Sequence, residues 1–535
     1  MRVKWFQASS AGAPRSRTAK RRRFFKLYER GADSTTVKSG MTQTLWLVAL
    51  APVLGALAAV SPAAVGAVAV VLALVAAGLF LVLRPEKALI ASFFLLLLAE
   101  TKFRARDPHD LLAGEVDAQI FFELALYAVM SLVVLANLRA LRLRGLRLTS
   151  SEAILGCYVL LALTSSLWSP DPRITAVRAG QLVILYAVCL LAVRVMERDS
   201  LRMIAYATTF YVLVFALLVL IFPWASGARI TYAEQLTRFS WFAVHPGVAG
   251  NYAAIAALFW VLAIFIKDRV SERKRSWLLG IVVIGLVTIL VATRTRGQLV
   301  AFIVALLVLW SRRYFNHWTV GLAGYLGLIL VTLRLGFGVS LAPAVETVLD
   351  QDIPIVGFLL RGQSPEEFLS VTGRVELWSN IYGLFLDRPL LGYGYCGSRK
   401  LLLSVLPWAG HAHNAVAESL LDLGLVGAGL LWFVVGRTVV LAYINSFLKT
   451  RPLSWNQAAA IGVLLYLLIL SFTSPTFAGI PGYDALLFFI VAFGQERLKL
   501  GSHEYVDTVK ARAGTKIRML EGSLDGAYQL RQGHP

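Results

Sequence analysis

Long apolar runs separated by short polar links dominate the hydrophobic pattern of this chain. Several runs approach the roughly 20 residues that a helix needs to cross the hydrocarbon core of a bilayer. They cover residues 43–61, 62–83, 88–101, 118–137, 151–168, 177–193, 201–222, 243–266, 277–293, 297–311, 317–340, 414–436, 456–475 and 480–494. The two-residue alternation of a membrane β-barrel is missing. The pattern therefore predicts an all-α, polytopic integral membrane protein with about 12–14 transmembrane helices.

The sign of the charge in the links predicts the topology. Residues 1–42 hold eleven Lys or Arg and two acids, which is typical of a cytoplasmic tail beside anionic lipid head groups. Every second later link also carries Lys or Arg and is predicted to be cytoplasmic, namely 84–87, 139–147, 194–202, 267–275 and 311–313. The remaining links are predicted to face outward, namely 101–117, 168–172, 223–245, 293–296, 341–413 and 474–483.

This topology divides the chain into five parts. They are a basic cytoplasmic tail (1–42), N-terminal transmembrane helices (43–340), one large extracytoplasmic loop (341–413), C-terminal transmembrane helices (414–494) and a cytoplasmic tail (495–535). Loops as long as this one are usually functional. Within it, a helical stripe should end before Pro389 and lie on the outer membrane surface or cap a cavity. The stripe consists of Arg374, Trp378, Ile381, Tyr382 and Phe385.

Composition narrows the functional classes. The net charge of +21 could indicate a nucleic-acid partner, but most of the positive charge follows the predicted cytoplasmic links, so we expect no nucleic acid. The three cysteines show no C-x-x-C spacing, which argues against a disulfide framework and a metal cluster. Neither a G-x-S-x-G hydrolase motif nor a Walker A motif occurs.

Arginines break the charge rule on the predicted outer face. Arg294 and Arg296 lie in a short outward link without a neighbouring acid, and Arg374 lies in the large loop. Arginines at such positions can reach lipid phosphates, or they can bind a specific anion through the planar guanidinium. Trp378 lies one helical turn after Arg374 and could pack against it. These residues indicate a site for an anionic group.

Histidines mark the start of the apolar run that follows the large loop. His413 should lie at the N-terminal end of that helix, where the helix dipole favours the neutral imidazole that can accept a proton from a hydroxyl. A capping or packing role is the alternative. Gly424 and Gly427 should return to the same face and admit a neighbouring helix closely. His411 and His245 lie on the same predicted side, but no carboxylate with ligand spacing accompanies the histidines, so we predict no metal site.

These motifs resemble the signature of the bacterial O-antigen ligase and polysaccharide polymerase superfamily. The resemblance rests on His413-Asn414 followed by Gly424 and Gly427, on Gly373-Arg374 with Trp378, on Pro389 with Gly392 and Gly394, and more weakly on Arg296-Gly297, residues 167–172 and His245-Pro246. Thr295 stands where the family's Ser-Arg-Gly element has serine. The resemblance spans about residues 150–495 and leaves out both tails.

The resemblance implies a GT-C-like fold in the bacterial inner membrane with the active site facing the periplasm. It implies transfer of a glycan from undecaprenyl diphosphate to an acceptor sugar hydroxyl, with inversion and without a metal or other cofactor. Arg296 and Arg374 would contact the diphosphate, and His413 would be the general base or position the acceptor. Further candidates for substrate contacts are Arg294, His245, Trp378, His411 and Asn414.

The acceptor stays open at this point. A ligase would use lipid A–core, and a polymerase would use a growing O-antigen or exopolysaccharide chain. We favour the ligase because one loop carries both Arg374 and His413. A transporter of small anions is the alternative from another class, with the outer arginines as its selectivity cluster.

Overall fold

The computed structural model describes residues 85–103, 118–143, 148–196, 199–221, 238–266, 276–314, 374–406, 409–446 and 453–498, all of which belong to one compact unit. These ranges contain thirteen helices and two short 3-10 turns, and no strand occurs within them. Six of the helices are long and apolar enough to cross a membrane. The predicted all-α, polytopic membrane fold is therefore confirmed.

The helices follow the predicted apolar runs closely, except for two that lie within the predicted large loop. They are α1 (Pro85–Ala99), α2 (Ala118–Leu143), α3 (Ser150–Thr164), α4 (Pro172–Val195), α5 (Ser200–Ile221), α6 (Pro246–Phe265), α7 (Ser276–Ala292), α8 (Arg296–Tyr314), α9 (Arg374–Asp387), α10 (Ser398–Val405), α11 (Ala415–Ser446), α12 (Trp455–Leu470) and α13 (483–498). The predicted runs 43–61, 62–83 and 317–340, the N-terminal tail, and most of the large loop and of the C-terminal tail lie outside the described residues.

Helix α6 forms the centre of the bundle. It packs against α5, α7, α8 and α12, and most of its residues are buried. Four alanines, at positions 253, 254, 256 and 257, are fully buried, so neighbouring helices can approach the α6 backbone closely. The N-terminal end of this central helix faces the polar cluster described below.

Ion pairs join the start of α3 to the ends of α4 and α13. Glu152 in the first turn of α3 accepts hydrogen bonds from Arg194 at the end of α4 (3.2 Å) and from Arg497 at the end of α13 (2.7 Å). Glu496 accepts the backbone N–H of Ser151 at 2.7 Å and pairs with Arg437 of α11. These charges are paired and hydrogen-bonded, which is how buried charges are tolerated.

Candidate active site

Residues 409–414, which we call the histidine loop, connect α10 to α11. Both peptide groups beside Ala412 are fixed by side chains from neighbouring helices. The Ala412 N–H donates to Glu418 Oε2 of α11 at 2.6 Å, and the indole N–H of Trp378 in α9 donates to the Ala412 carbonyl at 3.0 Å. The loop that carries both candidate histidines is therefore attached to two helices.

His413 has a left-handed backbone, with φ 53°. Its N–H donates to His411 Nδ1 at 3.2 Å, and the two imidazole rings lie with their centroids 4.0 Å apart at an angle of 51°. Since His411 accepts at Nδ1 in this arrangement, a neutral His411 carries its proton on Nε2. The two histidines form one local unit in which His411 contacts the His413 backbone.

Helix α11 starts later than the sequence suggested. It begins at Ala415, and Asn414 is its cap, because Asn414 Oδ1 accepts the N–H groups of Val416 (2.8 Å) and Ala417 (3.0 Å). The Ala415 N–H donates to the Ser471 carbonyl at 2.9 Å. His413, which the sequence placed at the N-terminal end of this helix, lies two residues before its first residue, and the asparagine side chain satisfies the first-turn donors.

The sequence predicted that a neighbouring helix approaches Gly424 closely, but Gly424 contacts a loop instead. It has φ 62° and ψ −163° and kinks α11. A Cβ atom on Gly424 would lie 2.3 Å from the backbone carbonyl carbon of Leu390. Beyond the kink, the N–H of Leu425 donates to the Pro389 carbonyl at 2.8 Å. A Cβ atom on Gly427 would lie 2.2 Å from the Leu423 Cβ of the same helix. The absence of a side chain at both glycines thus permits the kink in α11, and at Gly424 it also permits close contact with the loop that contains Leu390.

That loop, which we call the glycine loop, consists of residues 389–397 and the first residue of α10, Ser398, and contains the predicted motif. Its backbone bonds to α11 through Tyr393 N–H to Leu421 O (3.0 Å) and Gly394 N–H to Asp422 O (2.7 Å). Trp168 of the predicted 167–172 landmark donates its indole N–H to the Leu391 carbonyl at 3.3 Å. Two sequence motifs more than two hundred positions apart therefore meet here.

The turn between α7 and α8 carries the candidate arginines Arg294 and Arg296. Arg294 has a left-handed backbone, with φ 52°, and Arg296 is the first residue of α8. Thr295 packs against the α6 backbone, since a Cβ on Gly250 would lie 2.3 Å from Thr295 Oγ1. This close contact fixes the arginine turn against the N-terminal half of α6.

His245 is the cap of α6. Its Nδ1 accepts the Gly247 N–H at 3.0 Å, and Pro246 is the first helical residue. Gln298 of α8 donates to the Gly247 carbonyl at 3.0 Å, so the start of α6 is joined to the start of α8. His245 therefore lies at the end of α6 that adjoins the arginine turn. Among the described residues, no group of three or more His, Cys, Asp or Glu side chains could hold a metal ion.

Arg238 is a further arginine at this turn, and the sequence analysis missed it. Its Nε donates to the Thr293 carbonyl at 3.1 Å, and its positive charge lies close enough to influence Arg296. Burial lowers the pKa of the Arg238 guanidinium. The signal that could have found it is the one that found Arg294, a positive charge in a link predicted to face outward. The structure thus adds a cation to the arginine turn.

Residues 471–473, which directly follow α12 and are called the end of α12 below, connect the arginine turn to the histidine loop. A Cβ on Gly297, next to Arg296, would lie 3.0 Å from Thr473 Oγ1. Two residues earlier, Ser471 accepts the N–H of Ala415, which follows the histidine loop. The backbones beside Arg296 and His413 therefore contact the same short segment. Arg374 begins α9, one turn before the Trp378 that bonds to the histidine loop.

The fold and this polar cluster define a multi-pass helical membrane protein with arginines and histidines gathered at one end of its bundle. Residues 281–432 match the family model Wzy_C, O-antigen ligase, which confirms the recognised resemblance to the O-antigen ligase superfamily. The matched segment includes the arginine turn, the start of α9, the histidine loop and the kink of α11. No curated protein matches the chain.

Proposed function

We propose that this protein transfers a glycan from undecaprenyl diphosphate to a sugar hydroxyl of an acceptor, as an O-antigen ligase, on the periplasmic face of the bacterial inner membrane. The observation that carries this proposal is the contact of one segment, the end of α12, with the backbones beside Arg296 and His413. An arginine anion site beside a histidine is what the reaction requires. The family match over both elements supports the same reaction type.

In this proposal the arginines bind the diphosphate of the donor. Arg296 and Arg374 are the main ligands, and Arg294 and Arg238 add positive charge. Negative charge grows on the diphosphate as its bond to the sugar breaks, so positioned guanidinium groups stabilise the transition state more than the ground state. This role needs no metal ion, since the arginines supply the positive charge. The apolar helices would hold the polyprenyl chain.

His413 receives the proton of the attacking hydroxyl. The acceptor oxygen forms a bond to the anomeric carbon while the bond from that carbon to the diphosphate oxygen breaks, which inverts the configuration. Undecaprenyl diphosphate leaves with the bonding electron pair, and the proton goes to the imidazole of His413. His411 and Asn414 in the histidine loop, Trp378 in α9 and His245 at the start of α6 are proposed to position the sugars.

The test uses purified protein in nanodiscs with an undecaprenyl-diphosphate-linked glycan, with and without lipid A–core. We expect released undecaprenyl diphosphate and a glycosylated core, both lost in His413→Ala. Arg202→Ala is the control, because Arg202 pairs with Asp199 at 3.6 Å at the start of α5, outside the cluster. Longer glycan without added core would identify a polymerase instead. Absence of transfer to every acceptor by folded protein would contradict the proposal and favour an anion transporter.

A further inference from the structure

We infer that Glu418 is a positioning residue of this site, which holds the histidine loop so that His413 can act. The effect of Glu418 on activity rests on the proposed function, whereas its contact with the histidine loop does not. Glu418 is not part of the motif that carries the family resemblance. It lies in the first turn of α11, and its side chain is 5% exposed.

The contact of Glu418 acts on the peptide groups that lead to His413. Glu418 Oε2 accepts the N–H of Ala412 at 2.6 Å, and this N–H belongs to the peptide group between His411 and Ala412. Trp378 binds the carbonyl of the next peptide group, between Ala412 and His413. Ala412 itself is fully buried. Together the two contacts fix both peptide groups that precede the His413 Cα.

The backbone of His413 needs such a constraint. A residue with a Cβ atom rarely adopts a left-handed conformation, and one persists only where its surroundings determine it. On the C-terminal side, Asn414 is held by its bonds to Val416 and Ala417. On the N-terminal side, Glu418 and Trp378 provide the corresponding restraint. Loss of the Glu418 contact would therefore let the imidazole of His413 leave its position.

Asp422 provides a matched comparison in the same helix. It lies one turn after Glu418 and is 1% exposed. Its carboxylate accepts the Cys396 N–H at 2.8 Å and the Ser398 hydroxyl at 2.5 Å, so it holds the glycine loop rather than the histidine loop. Two buried carboxylates of one helix thus restrain two different loops. Substitution of Asp422 reports the general effect of losing a buried carboxylate from α11.

The decisive experiment compares Glu418→Gln with Glu418→Asp. Glutamine keeps an acceptor oxygen at the same reach but removes the charge, whereas aspartate keeps the charge and is shorter. We expect glutamine to retain transfer activity and aspartate to lower kcat by about tenfold to a hundredfold, with little change in the KM of the donor, since small displacements of a reacting group have effects of this size. Loss of activity in glutamine with retention in aspartate would show that the charge acts, and would overturn the inference.

Hydrogen exchange gives a readout that does not depend on activity. The Ala412 amide should exchange faster in Glu418→Asp and Glu418→Leu than in wild type, and should stay protected in Glu418→Gln. Asp422→Asn should leave the 409–414 peptide unchanged and affect the 394–398 peptide. Equal exchange of Ala412 in all Glu418 variants would overturn the inference even if the protein proves to have no transferase activity. A failure of the proposed function alone would leave these exchange differences in place.

Discussion

The indole N–H of Trp378 donates a hydrogen bond to the carbonyl oxygen of Ala412 at 3.0 Å. This bond joins α9 to the loop that carries His411 and His413. Leu377 and Ile381 support it from the same helix, since both are buried in one apolar cluster with Ala409, Ala412 and Leu421. The position of the histidine loop therefore depends on α9, a helix outside the predicted transmembrane runs.

Replacing Trp378 by phenylalanine should lower kcat while the protein stays folded. Phenylalanine keeps most of the apolar contact but cannot donate to the Ala412 carbonyl, which would be left unsatisfied in a buried loop. We expect a decrease of about tenfold in glycan transfer, because a hydrogen bond of this kind contributes about 1 kcal/mol and the histidine backbone moves with it. Trp432→Phe is the control, since Trp432 donates to Ser419 at 3.1 Å and not to the loop. Equal activity in the two variants would contradict the prediction.

Gly424→Ala should destabilise the protein strongly. The glycine has φ 62°, and a Cβ atom would lie 2.3 Å from both the carbon and the oxygen of the Leu390 carbonyl. With ψ −163°, this backbone conformation is populated almost only by glycine and costs about 1–3 kcal/mol for a residue with a Cβ, and the contact with backbone adds to it. Gly429→Ala is the matched control, because nothing lies within 4 Å of a Cβ there. Thermal unfolding in detergent should show a marked decrease for the first variant and none for the second.

The apolar runs predicted the helices well because burial in a bilayer requires long uninterrupted apolar segments. Helix α9 was predicted from its stripe and its proline stop, and it does end at Asp387. Its buried face is rotated, however. Ile381 of the stripe is buried, but Tyr382 of the stripe is 64% exposed, and Leu377, which the stripe left out, is fully buried. The spacing of apolar residues therefore predicts that a segment is helical more reliably than it predicts which face of the helix is buried.

The candidate site shows where local patterns fail. The Asn414 cap is a local contact with the N–H groups of Val416 and Ala417. The Ala415 N–H and the kink at Gly424, however, contact Ser471 and Leu390, which are distant in sequence. Helical periodicity cannot reveal such contacts, so a straight helix led by His413 was expected. Arg238 lies in a link predicted to face outward and could have been noted for its charge, but only the folded chain brings it to Thr293 beside Arg296. Motif residues could be found from sequence, but the residues that hold them could not.

Arg238→Ala should impair use of the donor. If the guanidinium groups of Arg238 and Arg296 share the diphosphate, loss of one positioned donor should lower kcat/KM by about a hundredfold, and lysine should restore it poorly because it lacks the planar fork. Arg388→Ala is the control on the same face, since Arg388 lies over the Tyr393 ring at 4.9 Å. Transfer rates at varied donor concentration measure the effect. Wild-type kcat/KM in Arg238→Ala would remove this arginine from the donor site.

Glu100 should make the stability of the protein fall as the pH rises from about 4.5 to 7. It lies in the turn after α1, where its carboxylate accepts the hydroxyl of Tyr252 and the N–H of Tyr483. Burial raises the pKa of Glu100 to about 7, with Asp484 adding to the shift, while the two hydrogen bonds and Lys102 oppose it. The folded state therefore holds this proton more tightly than the unfolded chain does.

The resulting stabilisation is complete below the unfolded pKa and is lost as the pH rises through the folded pKa, up to about 3 kcal/mol for the whole shift. Glu100→Gln keeps an acceptor oxygen but cannot titrate, so its stability should vary less over the same pH range. Thermal unfolding of both proteins in detergent, at steps between pH 4.5 and 8, measures the difference. Acids remote from Glu100 titrate in both proteins alike, so the difference between the two curves reports Glu100 together with its neighbour Asp484. Parallel curves would show that Glu100 ionises in the folded protein as it does in the unfolded chain.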